Sequence, residues 1–481
     1  MKQIILIYCF LHLHLSYGQY TQVPDPNFEQ ALIDLGIDDD GLNGQFLTTN
    51  AIGITTLNLD EKNINNLTGI EAFIDLEQLF ASSNNLSSFD LSMVPSDLFT
   101  LGLNDNNLSD IDLSNVPQIV NLYLGSNNFT SIDASNLSSL FIFHLSNQNI
   151  TNLNLTNCTS LASLRCVETS LNSIDLSECV NLTYFNARDS QITSLDFLNN
   201  PNIEEIEIQN TPLSNINLPN NPLLDYLSVS NTLLTELDIS NCQSLVSLYF
   251  NDTNITQLNF SNNTNIEIIS GNNSSLSSID VTNNPNLSWL WLRNNNLTGI
   301  IDLSNNFVLD DVELNYNMLE EMDFSHNTDI SFIRIDDNPN LQFVNMNNGS
   351  NEDLVAFIAI DCPELSCVVV DDTNAPNTNF IVDAHTTLVE NIEDCDNLSV
   401  TKNKLRSLFN VFPNPVKGAL RIKNNSTFQI ESIEFYNLIG ELVLSKTENL
   451  YFVDTSILKS GVYFLKIITG KGTLIEKVLK K

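Results

Sequence analysis

Leu122-Tyr123-Leu124-Gly125-Ser126-Asn127-Asn128-Phe129-Thr130-Ser131-Ile132-Asp133-Ala134-Ser135-Asn136-Leu137-Ser138-Ser139-Leu140 is the stretch on which the reading of this chain turns. Leu122 and Leu124 flank Tyr123, so this alternation predicts a short strand with two side chains inward and one outward. Gly125 to Asn128 then turns the chain. A second apolar step follows around Ile132-Asp133-Ala134; it is too short for a helix and reads as extended. One such coil cannot bury its own apolar face, so its stability must come from stacking on neighbours.

The neighbours are present. The first apolar residue of the L-x-L step recurs at Leu57, Leu79, Leu101, Leu122, Phe143, Leu164, Phe185, Ile206, Leu227, Leu248, Ile269, Leu290, Val312 and Ile333. Ten of the thirteen spacings are 21 and three are 22, a regularity that marks a solenoid of about fourteen repeats. The sixth position of each unit carries Lys62 in the first and thereafter Asn84, Asn106, Asn127, Gln148, Thr169, Ser190, Thr211, Thr232, Thr253, Ser274, Asn295, Asn317 and Asn338. Amides and hydroxyls there can bond the free backbone groups of a bend, and stacked rung on rung they predict a structural ladder. The resulting pattern, L-x-x-L-x-L-x-x-N-x-L, resembles the leucine-rich-repeat family.

Outward from the repeat, the chain divides. Met1-Lys2-Gln3, an apolar run from Ile4 to Leu15 and the small exit Ser16-Tyr17-Gly18 read as a secretory signal peptide over 1–18. Residues 19–56 read as an N-terminal cap. Asp25 at N-cap, Pro26 at N1 and Gly36 just past the end punctuate a helix there. The run Asp38-Asp39-Asp40-Gly41 admits a structural calcium ion or a solvated acidic turn, and its spacing does not fit an EF-hand loop. The solenoid is read over 57–372 and a closing cap and linker over 373–405. Cys367 and Cys395, in this exported cap, are the disulfide candidates. Cys158, Cys179, Cys242 and Cys362 share the pattern C-x-x-L, read as one place in the repeat, and are expected as buried thiols.

Residues 406–481 abandon the period and predict a small β-sandwich. The charge changes with it. The chain holds 58 acidic and 19 basic residues, a net charge of −39, yet residues 401–481 hold 13 of those basic residues against 6 acids. The order Phe412-Pro413-Asn414-Pro415, Asn437-Leu438-Ile439-Gly440, Ser460-Gly461-Val462-Tyr463-Phe464-Leu465-Lys466-Ile467 and a basic end through Lys481 resembles the type A sorting domain of the type IX secretion system. That resemblance implies a Bacteroidota-type Gram-negative bacterium, handling by the type IX machinery, and release or display at the outer surface.

An acidic surface excludes a partner held by its phosphates, such as nucleic acid. Beyond the signal segment no stretch is long and apolar enough for a transmembrane helix. The mature chain has only His144, His326 and His385, in separate units, and lacks the spacings of zinc hydrolases and the motifs of nucleotide or acyl-transfer enzymes. No cofactor is expected, and a glycan-degrading enzyme with paired carboxylates is the weakest of three readings. A binder and a passive surface spacer precede it. For a binder, the outward positions before, between and after the two inward residues of each strand are where a partner would touch. All four arginines of the solenoid fall in these columns, as do both tryptophans. Two candidate foci result: Tyr123, His144, Arg165, Tyr184 and Arg188; and Trp289, Trp291, Arg293, Phe332 and Arg334, with Tyr226 and Tyr249 in the same columns. The competing reading is that these side chains merely cover the sheet, with Glu205, Glu207, Asp311 and Glu313 neutralising the arginines.

Overall fold

The structure is a computed structural model; it describes residues 20–375, 378–396, 409–424, 429–437, 441–469 and 472–481. The signal segment and most of the linker before the C-terminal domain lie outside the described residues. The chain forms two compact units, Met1–Asn296 and Leu297–Lys481.

The first unit opens with a cap. Strands Tyr20–Gln22 and Gln45–Leu47 pair antiparallel around the helix Pro26–Asp34. Asp25 accepts hydrogen bonds from the backbone of Asn27 and Phe28, and its other oxygen accepts from Asn65 and Asn66 in the first coil, so one carboxylate both starts the helix and fastens it to the solenoid. Asp38 is buried; its Oδ1 accepts from the backbone of Asp40, and burial pushes its carboxyl above the usual range. Among the described residues no cluster of three or more His, Cys, Asp or Glu is arranged to hold a metal ion.

Twelve parallel strands of three residues follow, from Thr56–Asn58 through Asn121–Tyr123, Ser163–Arg165 and Tyr226–Ser228 to Trp289–Trp291. Their inward residues lie in direct register: Leu122 opposite Phe143, Leu164 opposite Phe185, Ile269 opposite Leu290. Each strand is ended by a residue with left-handed backbone, from Ser83 and Asp105 through Asn231 to Asn294. In this column Asn and Asp predominate because they tolerate that conformation best among side-chain-bearing residues.

The opposite side is less regular than the expected extended segments. Only Ser131–Asp133 with Asn152–Asn154, and Ser194–Asp196 with Asn215–Asn217, pair as strands in this unit. After Asp90 and Asp112 the chain instead makes short 3-10 turns, Leu91–Met93 and Leu113–Asn115, whose first turn is capped by the preceding aspartate. Ser92 and Ser114 hold the carboxyls of Asp90 and Asp112 below the usual carboxylate range.

The second unit carries four strands of the same kind, Asp311–Glu313, Phe332–Arg334, Ala356–Ala359 and Phe380–Val382. On its other side a parallel sheet of five runs Thr298–Ile300, Met318–Asp323, Phe343–Asn345, Cys367–Val369 and Thr387–Val389. The solenoid therefore has sixteen turns, two more than the fourteen periodic starts. The extra two escape the period because Phe357, the register partner of Ile333, follows it by more than one standard repeat. Cys367 and Cys395 are joined as a disulfide with Cα atoms 5.6 Å apart, and together with Val369 they form a small core.

The C-terminal domain is a pair of antiparallel sheets. One orders Phe409–Phe412, Ala419–Asn424 and Phe452–Asp454; the other orders Leu442–Lys446, Ile430–Tyr436, Gly461–Thr469 and Gly472–Lys480. Phe409, Leu420, Ile433, Phe435, Val453, Leu465 and Val478 fill the core between them.

One placement differs from the sequence reading. Cys158, Cys179 and Cys242 do share a column, but Cys362 does not. Cys367 pairs in register with Phe343, which puts Cys362 where Asn338 stands, in the turn column, with its thiol directed at Ile335 O. The C-x-x-L pattern recurs in both columns because a buried residue three before an apolar one suits either bend. All five free cysteines among the described residues are buried, and burial pushes Cys158 up to about 11 and Cys179 and Cys242 up to about 12, which keeps them protonated.

Candidate functional site

The outward columns of the strand face arise from the L-x-L alternation itself. Strands such as Asn121–Tyr123, Ile142–His144 and Ser163–Arg165 bury their central residue and hold its neighbours half-exposed. Tyr123, His144 and Arg165 are direct register partners on three successive strands. The Tyr123 and His144 rings meet edge to face at 5.2 Å. Burial, with Arg165 beside it, keeps the imidazole of His144 below its ordinary pKa, so it is neutral at pH 7.

Tyr184 and Arg188 belong to a separate network. Tyr184 donates its hydroxyl to Glu207 Oε1 at 2.9 Å and accepts from Asn186 Nδ2 at 2.9 Å. Arg188 lies 3.9 Å from Glu207 and 3.8 Å from Asp189. The first focus is therefore two groups: an aromatic and cationic trio, and a tyrosine and arginine held by Glu207.

The second focus is divided between the two compact units. In the first unit the indoles of Trp289 and Trp291 stack at 5.2 Å with 16° between their planes, and Trp289 remains 37% exposed. Trp291 Nε1 is closed off from solvent without a hydrogen-bond partner. Arg293 donates its backbone N–H to Asn272 Oδ1. In the second unit Phe332 is half-buried, and Arg334 Nε binds Asp336 Oδ1 at 2.9 Å, with Glu313 also contributing to its electrostatic environment. Tyr226 and Tyr249, left outside both foci by the sequence reading, pack at 5.4 Å in the same unit as the tryptophans. Their column positions were legible; that they pair on successive strands followed only from register.

The predicted structural ladder has two chemistries. Asn106 donates through Nδ2 to Ala81 O, one coil earlier, and accepts through Oδ1 from Leu86 N. Asn84, Asn127 and Asn295 bridge adjacent coils in the same way, as does Asn338 to Leu314 O and Leu319 N; Asn317 accepts from Leu297 N. Thr211 and Thr232 donate only to a carbonyl three residues back in their own coil, while Thr253, which makes the same bond, also meets the Ser274 hydroxyl of the next coil.

Comparison with known proteins settles two parts of the chain. Residues 410–481 match the secretion system C-terminal sorting domain. The sorting domain makes this a secreted or cell-surface repeat protein. Among solved structures, the functional domain of InlJ from Listeria monocytogenes, which includes a cysteine ladder, aligns with a TM-score of 0.65 at 18% identity over 96% of this chain and 99% of that one. A leucine-rich-repeat protein of Leptospira interrogans aligns at 0.52 with 14% identity over 71% and 97%. YopM from Yersinia enterocolitica aligns at 0.50 with 17% identity over 70% and 80%. At these identities the likeness is one of fold: a leucine-rich-repeat solenoid precedes the sorting domain. No curated protein sequence matches the chain.

Proposed function

We propose that the protein is exported by the type IX route of a Bacteroidota-type Gram-negative cell and binds a protein or glycan partner through its strand face, without performing chemistry. The observation that carries this is the gathering of Tyr226, Tyr249, Trp289 and Trp291 in the outward columns of one unit, with the indoles stacked and half-open to solvent. Rigid aromatics of this kind anchor interfaces at low entropic cost. His144 and His326 stand apart in the coils; His326 Nδ1 lies 3.1 Å from the hydroxyl of its exposed neighbour Ser325, and among the described residues no cluster of three or more His, Cys, Asp or Glu is arranged to hold a metal ion. The acidic coat favours the competing role of a passive spacer that stays soluble by self-repulsion.

An array of glycans and host proteins probed with the full secreted chain separates these. A specific hit lost on Trp289→Ala with Trp291→Ala supports the binding face. A hit that survives both substitutions removes it. A blank array with calcium-dependent self-association supports the spacer.

A further inference from the structure

Resting on that reading of the face, we infer that its occupant is a neutral oligosaccharide laid across the coils from Tyr226 to Trp291. Three observations converge on this chemistry. The first is charge. Of the twelve face positions of these four strands, eleven carry Tyr226, Ser228, Ser230, Ser247, Tyr249, Asn251, Ile268, Ser270, Asn272, Trp289 and Trp291, none ionisable near neutral pH, and the twelfth, at the edge, is Arg293. In a chain of net charge −39 such a gap stands out. Glu205 and Glu207 close it at one end and Arg293 at the other. A basic protein or an acidic polymer recognised by its charge would find its counterions only at the rim. A neutral, polyhydroxylated ligand needs none.

The second observation is the division of the patch into an aromatic lane and an amide lane. Tyr226 and Tyr249, then Trp289 and Trp291, offer ring faces on one side. Beside them run Ser230, Asn251 and Asn272, whose oxygens are already committed: Ser230 Oγ accepts from Asn251 N, Asn251 Oδ1 from Asn272 N, and Asn272 Oδ1 from Arg293 N. These bonds fix the orientation of the amides, and the Asn272 Nδ2 group has no acceptor among the described residues. Flat apolar rings beside pre-oriented donors match the two surfaces of a pyranose, its C–H face and its hydroxyl rim. Strands in a parallel ladder lie about 4.8 Å apart, close to the length of one sugar in an extended chain.

The third is Trp291 Nε1, a donor shielded from water and left without an acceptor. An unpaired buried donor is costly, and a rotation of the indole that opens Nε1 to a sugar oxygen would remove that cost.

The chain supplies its own probe, because Trp289 and Trp291 are its only two tryptophans. Tryptophan emission of the full chain is titrated with hexasaccharides of the cello, laminari, manno and xylo series, and with oligogalacturonate as the charged counterpart. The expected result is a saturable change with at least one neutral series and none with oligogalacturonate. Tyr249→Ala, which leaves both indoles in place, weakens that response roughly 10–100-fold, while Tyr20→Ala, on the cap, leaves it unchanged. An emission unmoved by every neutral sugar overturns the inference, as does equal binding of oligogalacturonate. If a protein on the array depends on Trp289 and Trp291 while no sugar moves their emission, the sugar falls and the face stands. If a partner binds regardless of both tryptophans, both fall.

Discussion

Two columns of buried asparagine run through this solenoid and they are not equivalent. In the turn column, Asn106 uses its whole amide: Nδ2 donates to Ala81, Leu103 and Asn104 carbonyls, and Oδ1 accepts from Leu86 N. In the second column, Asn200, Asn221, Asn263, Asn284 and Asn327 use only the nitrogen. Asn221 Nδ2 donates to Phe197 O and Asn200 O in the preceding coil, while its Oδ1 is buried without a partner, as are those of Asn200, Asn263, Asn284 and Asn327. The difference explains what replaces asparagine in each place. Where both ends of the amide work, most substitutes are polar hydroxyls such as Thr211 and Thr232, which keep one bond inside the turn, with Cys362 an exception. Where only a donor is used, cysteine suffices: Cys158, Cys179 and Cys242 fill that column, and Cys158 Sγ points at Ala134 O in the preceding coil, the equivalent of Phe197 O for Asn221 Nδ2. A thiol gives up a strong donor and leaves no orphaned oxygen.

This contrast is open to measurement by urea unfolding of single variants. Asn106→Ala removes donors and an acceptor that join two coils, and is expected to cost about 3 kcal/mol, from the usual 1–3 for each buried group left unpaired. Asn221→Ala removes two donor bonds but also an oxygen that had no partner, so about 1–2 kcal/mol is expected. If the two asparagines cost the same, the columns are equivalent and the distinction fails. Thr232→Val keeps the shape and removes one bond within the coil, for about 1 kcal/mol. A loss as large as that of Asn106→Ala would mean that the hydroxyl bridges coils after all. Cys242→Asn exchanges a thiol for two new donor bonds and a new orphaned oxygen, and the midpoint should move by less than about 1 kcal/mol in either direction.

The turn column was legible in the sequence because its residues vary within one chemical class at a fixed step from the L-x-L strand. The second column was not, because Cys158, Cys179, Asn200 and Asn221 share no class, and only their burial and their common acceptors reveal one role. Cys362 misled for the same reason: its C-x-x-L context fits either bend, and strand register decides that it stands in the turn column. The candidate site behaved similarly. The columns of Tyr123, Arg165 and Trp289 followed from alternation, whereas the capture of Arg188 by Glu207 and of Arg334 by Asp336 did not.

What the sequence by itself determined is everything governed by period: coils that must stack because none can bury its face alone, strands of three residues, outward columns of known membership, and a C-terminal segment of opposite charge that leaves the repeat. What only the tertiary structure decided is everything governed by distances between coils. Which amide ends find partners, which aromatic rings touch, and which arginines are already neutralised all depend on side chains some 21 residues apart in sequence. A hydrogen bond forms or fails within a few tenths of an ångström, and no spacing along the chain carries that precision.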